Sequence, residues 1–331
     1  MSNASNTRRR ISPFRLSVLL VVIAGIAFAG YASVLTDFLW FDQLGFSSVF
    51  FTQIAAQVGM FLVAAFVLGG VSGLSLTLAY RSRPIYLKFP DSGDPFGVYR
   101  ELIEQLRKGV MIGLPILLGI FGGVAAVSKW DVVLAWLNRT YTGEVDPQFH
   151  LDISFYFFDL PFLTSITTFA SATVLISGLL AAFVHTVFGG IRFNGRKSTI
   201  TKAARIQVSI MAALYLLIQG ASLWLDQYKT MTNASGLYTG ATYADVNAVI
   251  PGFQILAMIA GLVALLFLVT AVIGQWRFSI MATGLMVVSS IILGGLYPWI
   301  VQTFQVGPNE RTLEAVYICL LYTSPSPRDC S

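Results

Sequence analysis

The sequence predicts an all-α, polytopic membrane protein with seven transmembrane helices, an N-terminus in the cytoplasm and a C-terminus outside it. Three observations carry this. Seven apolar stretches each come close to or exceed the roughly 20 residues a helix needs to cross a bilayer core. The composition is 56% hydrophobic and 11% charged, with a mean hydropathy of +0.73, where soluble domains average about 25% charged residues. The Lys and Arg residues, finally, fall on alternate sides of successive stretches. A soluble enzyme is excluded.

The spans read Leu16–Thr36, Thr52–Tyr80, Gly109–Val127, Leu163–Phe188, Ile206–Leu225, Phe253–Ile273 and Phe278–Phe304. They make residues 14–305 a transmembrane domain behind a basic, disordered N-terminus, residues 1–13. Arg8-Arg9-Arg10 and Ala27-Phe28-Ala29 imitate a signal peptide. The apolar stretch Leu16–Thr36, at about 21 residues, exceeds the usual 7–15 of a cleaved signal, so the first helix is expected to stay. After it comes Asp37–Phe46, whose Phe38, Trp40, Phe41 and Phe46 suit the headgroup level of a bilayer. A cytoplasmic loop with Arg81-Ser82-Arg83-Pro84 follows, continuing into an amphipathic stretch, Tyr99–Lys108, expected to lie along the inner surface.

In the third span Gly109, Gly113, Gly119 and Gly123 are spaced by four, as are Gly69 and Gly73 in the second. Small residues at that spacing let membrane helices approach closely. Packing is the plainer reading, and a hinge beside Pro115 the functional one. The loop after the third span carries Lys129–Trp136 and then Asp146–Phe162. Its run Phe155-Tyr156-Phe157-Phe158, closed by Pro161, reads as an elbow at the membrane surface. The next outer loop carries Trp224–Lys229 and Gly240–Val246 and ends at Pro251.

With the N-terminus inside, sixteen of the 21 basic residues lie in cytoplasmic segments, and only Asp91, Asp94, Glu101 and Glu104 of the 16 acidic residues join them. That is the positive-inside pattern of a plasma-membrane protein. The pI near 9.2 then reflects charge beside anionic lipid; no segment alternates bases with aromatics as a nucleic-acid platform would. The expected partners are the bilayer and either the protein's own extracytoplasmic domain, missing from this sequence, or other envelope proteins, with no nucleic acid.

After Glu314 the composition changes. Residues 318–331, from Ile318 to Ser331, are rich in Ser and Pro and contain both cysteines, Cys319 and Cys330. This tail reads as a non-native read-through at the end of a truncated frame. Residues 306–317 would then begin an extracytoplasmic region that continues beyond Tyr317. No disulfide framework or thiolate metal site is expected.

Ionisable groups inside membrane helices usually mark transport paths, because burying them is costly. The spans offer one, His185, near the inner end of the fourth, where a packing role is the plainer reading. Gln53, Gln57 and Gln219 are candidates for interhelical hydrogen bonds. The two histidines, His150 and His185, fall on opposite sides, and HExxH, GxSxG and GxxxxGK[ST] are absent. Neither a catalytic centre nor a cofactor is expected. The outer aspartates Asp146, Asp152, Asp159, Asp226 and Asp245 could converge on a hard cation such as Ca²⁺, which takes six to eight oxygens; solvated charge or helix capping is the plainer reading. Asp152, Asp226, Asp245 and His185 are therefore the residues to locate.

Taken as a set, Asp37–Phe46, Asp146–Phe162, Trp224–Tyr228, Gly240–Val246 and Pro308-Asn309-Glu310 with Leu313-Glu314 resemble bacterial membrane proteins of uncharacterised protein family 0182. The resemblance runs from the first span to about Glu314. It implies a seven-span region followed by a long extracytoplasmic portion, and it supplies no catalytic positions. Two functions are compatible with it: an anchor or scaffold holding a large exported domain, and a transporter or channel for a neutral or lipid-like substrate. Internal inverted repeats would favour the second, and none is evident.

Overall fold

In hydrocarbon every backbone N–H and C=O must find a partner, and an uninterrupted apolar stretch of about 20 residues, twice what a membrane strand needs, finds them within itself as an α-helix. The computed structural model describes residues 13–83, 104–107, 109–194, 197–232, 240–315 and 317. Most of the basic N-terminus, most of Tyr99–Lys108 and the tail with Cys319 and Cys330 lie outside the described residues. Among the described residues seven helical runs are long and apolar enough to cross a membrane: Leu20–Gln43, Ser47–Arg81, Gly109–Val127, Phe155–Val187, Lys202–Thr232, Asp245–Ile273 and Trp276–Leu313.

The α-helices are α1 (Pro13–Gln43), α2 (Ser47–Arg81), α3 (Leu114–Val127), α4 (Trp130–Leu137), α5 (Leu160–Val187), α6 (Lys202–Lys229), α7 (Ile250–Ile273), α8 (Trp276–Ile291), α9 (Tyr297–Ile300) and α10 (Glu310–Leu313). A short antiparallel hairpin, β1 (Ile191–Asn194) and β2 (Lys197–Ile200), joins α5 to α6 with Ile191 opposite Ile200. This pair of strands is the one departure from the all-α expectation among the described residues.

Several helices are wound wider just ahead of a proline. Turns of π-helix occupy Gly109–Gly113, Phe155–Asp159, Asp245–Val249, Ile292–Leu296 and Val301–Val306, and Pro115, Pro161, Pro251, Pro298 and Pro308 follow them. A proline has no N–H to give and its ring collides with the carbonyl four residues back. In each case that carbonyl, on Met111, Phe157, Asn247, Gly294 or Phe304, lies inside the widened turn, which relieves the collision. The run Phe155–Phe162 is accordingly helical and continuous with α5. The surface elbow expected there is not formed, because the proline is absorbed at the first turn of a helix, where it is tolerated.

Contacts divide the chain into two units, residues 1–59 and 60–331. The first holds α1 and the beginning of α2. Its aromatic residues meet at the turn between them, with Phe38 edge-on to Phe50 at 5.6 Å and Phe41 tilted against Phe50 at 6.0 Å. Gly45 (φ +74°) makes that turn.

In the second unit the rest of α2 crosses α3 through glycine. A Cβ on Gly119 would lie 2.7 Å from the Ala65 carbonyl oxygen, and one on Gly69 would lie 3.1 Å from that of Pro115. Gly122 and Gly123 press on Leu68 and Phe61, whereas Gly109 and Gly113 face open space. Helices α5, α6, α7 and α8 then follow as antiparallel neighbours, with α6 between α5 and α7. One buried apolar cluster, Ala213, Leu216, Val263, Ala264 and Phe267, is shared by α6 and α7.

The distribution of polarity is inverted relative to a protein in water. Phe66 is 81% and Val272 82% exposed, with most large apolar side chains of α3 and α8 also outward. Ser72, Ser75, Thr173, Ser177, His185, Ser209, Gln227, Thr270 and Ser279 are buried. An apolar exterior of this extent has no place in water, whereas lipid accepts it, and interhelical contact then relies on small and hydrogen-bonding residues.

Candidate functional site

Polar groups of the second unit gather in two places. One is the end of the bundle where the loop after α4, the start of α5, the end of α6 and the start of α7 meet. There the segment Thr142–Ser154 doubles back, with Val145 bridged to Asp152. Asp152 holds this loop closed. Its Oδ1 accepts from the Ser154 N–H (2.8 Å) and the Thr142 hydroxyl (2.8 Å), and its Oδ2 from the Gly143 N–H (2.9 Å). The bonds from Ser154 above all, joined by those from Thr142 and Gly143, keep the carboxyl well below the usual carboxylate range. Asp146 performs the same office at the tip. Its Oδ2 accepts from the N–H groups of Gln148 (3.1 Å) and Phe149 (2.6 Å) and from the Tyr156 hydroxyl (3.2 Å). His150 takes the left-handed conformation that completes the turn (φ 55°).

Aromatic residues bind the loop to the helices. Phe149 and Phe155 pack on Tyr228 of α6 at 4.7 and 5.3 Å. Trp136 of α4 stacks on Phe162 at 3.9 Å and donates its indole N–H to Asp159 (3.0 Å), while the Arg139 guanidinium lies over the same indole. One step further, Gln254 of α7 donates to the buried Gln227 of α6 (2.8 Å).

Asp245 and Thr242 form a capping box at the start of the α7 run. The Thr242 N–H donates to Asp245 Oδ2 (3.0 Å), and the Asp245 N–H donates to Thr242 Oγ1 (3.2 Å). Beside it Glu314, only 5% exposed, receives the Tyr243 N–H on both carboxylate oxygens at 3.2 Å. Glu314 thereby fastens the segment after α10 to the start of the α7 run. Asp226 pairs with Lys229 on a half-buried turn of α6. The candidates Asp152, Asp226 and Asp245 thus face three different local partners. Among the described residues no three His, Cys, Asp or Glu side chains come together as a metal ion would need.

The second gathering lies at the opposite end, between α2, α5 and α6. His185, 1% exposed, has its Nε2 3.0 Å from Gln207 Oε1. Gln207 Nε2 donates to the Ser75 carbonyl (2.8 Å), and the Ser75 hydroxyl donates to the Ser177 carbonyl (2.8 Å). Sequence reasoning found His185 but missed Gln207, which lies at the polar start of its helix, and quoted Glu314 only for the resemblance, without a structural role. Conversely, Gln53, Gln57 and Gln219 make no side-chain hydrogen bond to another described residue. The available signal was a glutamine 22 residues after His185, near the start of the next helix across a short hairpin.

The model of an uncharacterised protein family (UPF0182) matches residues 14–320. The chain belongs to that family. A UPF0182 protein of Clavibacter michiganensis subsp. michiganensis is 47% identical over 318 residues, covering 96% of this chain and 32% of its own length. One from Leifsonia xyli subsp. xyli is 45% identical over 313 residues (94% and 31%), and one from an Arthrobacter species 43% over 311 (94% and 31%). The chain spans about a third of the length of the curated UPF0182 relatives it matches. No solved structure matches it.

Proposed function

We propose that this chain is the membrane-embedded part of a plasma-membrane UPF0182 protein, an anchor whose extracytoplasmic face positions an exported domain. The observation that carries this is the loop-rich end of the bundle. Asp146, Asp152, Asp245 and Glu314 spend their acceptors on N–H and O–H groups of that same surface, and aromatic contacts lock it to α5 and α6. Such a face is rigid and preorganised, as a docking platform needs to be. Its carboxylates are committed to structure, so the reading is non-enzymatic, without cofactor or metal. In the relatives above, about two thirds of the length lies outside the aligned region, which is room for such a domain. The distribution of Lys and Arg supports a cytoplasmic N-terminus and an outward loop-rich end.

Alkaline phosphatase fusions should be active after Gly143 and inactive after Arg196. In a full-length family member, replacing residues 142–154 by a Gly-Ser linker should release or misplace the exported portion. Retention of that portion in its ordinary place would reject the anchor.

One observation favours a transporter of a neutral or lipid-like substrate instead. The buried hydroxyls of Thr173, Ser177 and Ser209, on the two helices that carry His185 and Gln207, have no hydrogen-bond partner among the described residues. Flux through reconstituted vesicles would select that reading.

A further inference from the structure

At the end of the bundle away from the loop platform, the last turn of α2 and the turn before α3 enclose a cleft of about 410 Å³ lined by Thr77, Tyr80, Arg81, Arg107, Met111 and Ile112. Its two walls differ in chemistry. On one side the buried Tyr80 ring stands edge-on to Phe188 at 5.5 Å and carries two guanidinium groups, Arg83 at 4.3 Å and Arg107 at 5.0 Å from its centroid. Arg83 is balanced by Glu104 at 3.0 Å. Among the described residues Arg81 and Arg107 have no carboxylate within ion-pairing distance. The other wall is Met111 and Ile112, with Ile112 turned outward to where lipid would lie.

Two cations with no carboxylate partner among the described residues, beside an apolar wall opening toward lipid, match a phosphate attached to an acyl chain. Resting on the membrane reading above, we propose that this cleft binds one anionic phospholipid of the cytoplasmic leaflet. Arg81 and Arg107 hold its phosphate and Met111 and Ile112 flank its first acyl segment. Arginine suits the role because its planar fork meets phosphate oxygens in pairs. The ring of Tyr80 keeps Arg107 in place before the lipid arrives.

The test is native mass spectrometry of the full chain in detergent with equal phosphatidylglycerol and phosphatidylcholine. Retained phosphatidylglycerol should dominate. Each arginine near an anionic headgroup contributes about fivefold, so Arg81→Gln with Arg107→Gln should reduce retention by about 25-fold and leave phosphatidylcholine unchanged. Arg277→Gln, at the start of α8 and outside the cleft, should behave as the parent, and gel filtration with far-UV circular dichroism checks that all variants are folded. Equal retention by the double variant, or equal binding of phosphatidylcholine, would overturn the proposal. So would displacement of the lipid by an equal concentration of inorganic phosphate, which would show that the site reads the anion alone. A chain found outside the membrane fraction would sink the membrane reading itself; a chain in the membrane without lipid preference would sink only this site.

Discussion

Asp152 shows how a single side chain sets the behaviour of a loop. Its carboxylate receives N–H and O–H groups from residues on both arms of the Thr142–Ser154 turn, and these favour the charged form. Because the folded carboxyl lies below its ordinary value of 3.8, its contribution is complete above that value and is lost as pH falls through and below it. The melting temperature of the parent should therefore decline below about pH 4 more steeply than that of Asp152→Asn, which has no carboxylate to protonate. Coincident profiles would show that the loop contributes nothing to global stability. Thr242 is the corresponding case at a helix start. Thr242→Val keeps the shape, removes the hydroxyl acceptor for the Asp245 N–H, and should cost about 1 kcal/mol in a thermal or denaturant melt. The roles of these residues were not legible in the sequence. An aspartate in a loop could bind a cation, face water or cap a helix, and only the position of the neighbouring N–H groups decides among them.

At the scale of elements, the spacing of glycines was a partial guide. The four-residue pattern in α2 and α3 marks the crossing at Gly69, Gly119 and Gly123, but Gly109 and Gly113 repeat it where a methyl group on either would meet nothing. Composition records that a small residue is present, not that a neighbour has come close. Gly119→Ala should destabilise the bundle by about 1–3 kcal/mol, since its methyl would meet the rigid Ala65 carbonyl, while Gly113→Ala should leave the melting point unchanged or slightly raised. Equal effects would place the α2–α3 crossing elsewhere. Helix ends were the other weak point. The apolar stretches stop at Leu225 and start again at Phe253, yet α6 runs to Lys229 and the α7 run begins at Asp245. Hydropathy measures the slab a helix can cross, whereas its hydrogen bonds continue into the polar layer wherever caps and aromatic contacts support them.

For the whole molecule, the number of membrane-length helices was legible because the demand is so stringent: about 20 apolar residues in succession have one structural solution in lipid. The clustering of His185, Gln207, Ser75 and Ser177, drawn from three helices, was not, since long-range contacts leave no trace in a local window. The apolar exterior described above carries a further consequence for what denaturation means here. Each helix closes its own hydrogen bonds, and its outer surface is already at home in hydrocarbon, so heat can part the helices without unravelling them. Warming a vesicle-embedded sample should disperse the near-UV signal of Trp136, stacked on Phe162, while far-UV ellipticity persists. If both were lost at one temperature, the packing between helices and the helices themselves would be a single cooperative unit. The stability of this protein is then a measure of association inside the membrane, a quantity closer to the affinity between ligands than to the folding of a chain in water.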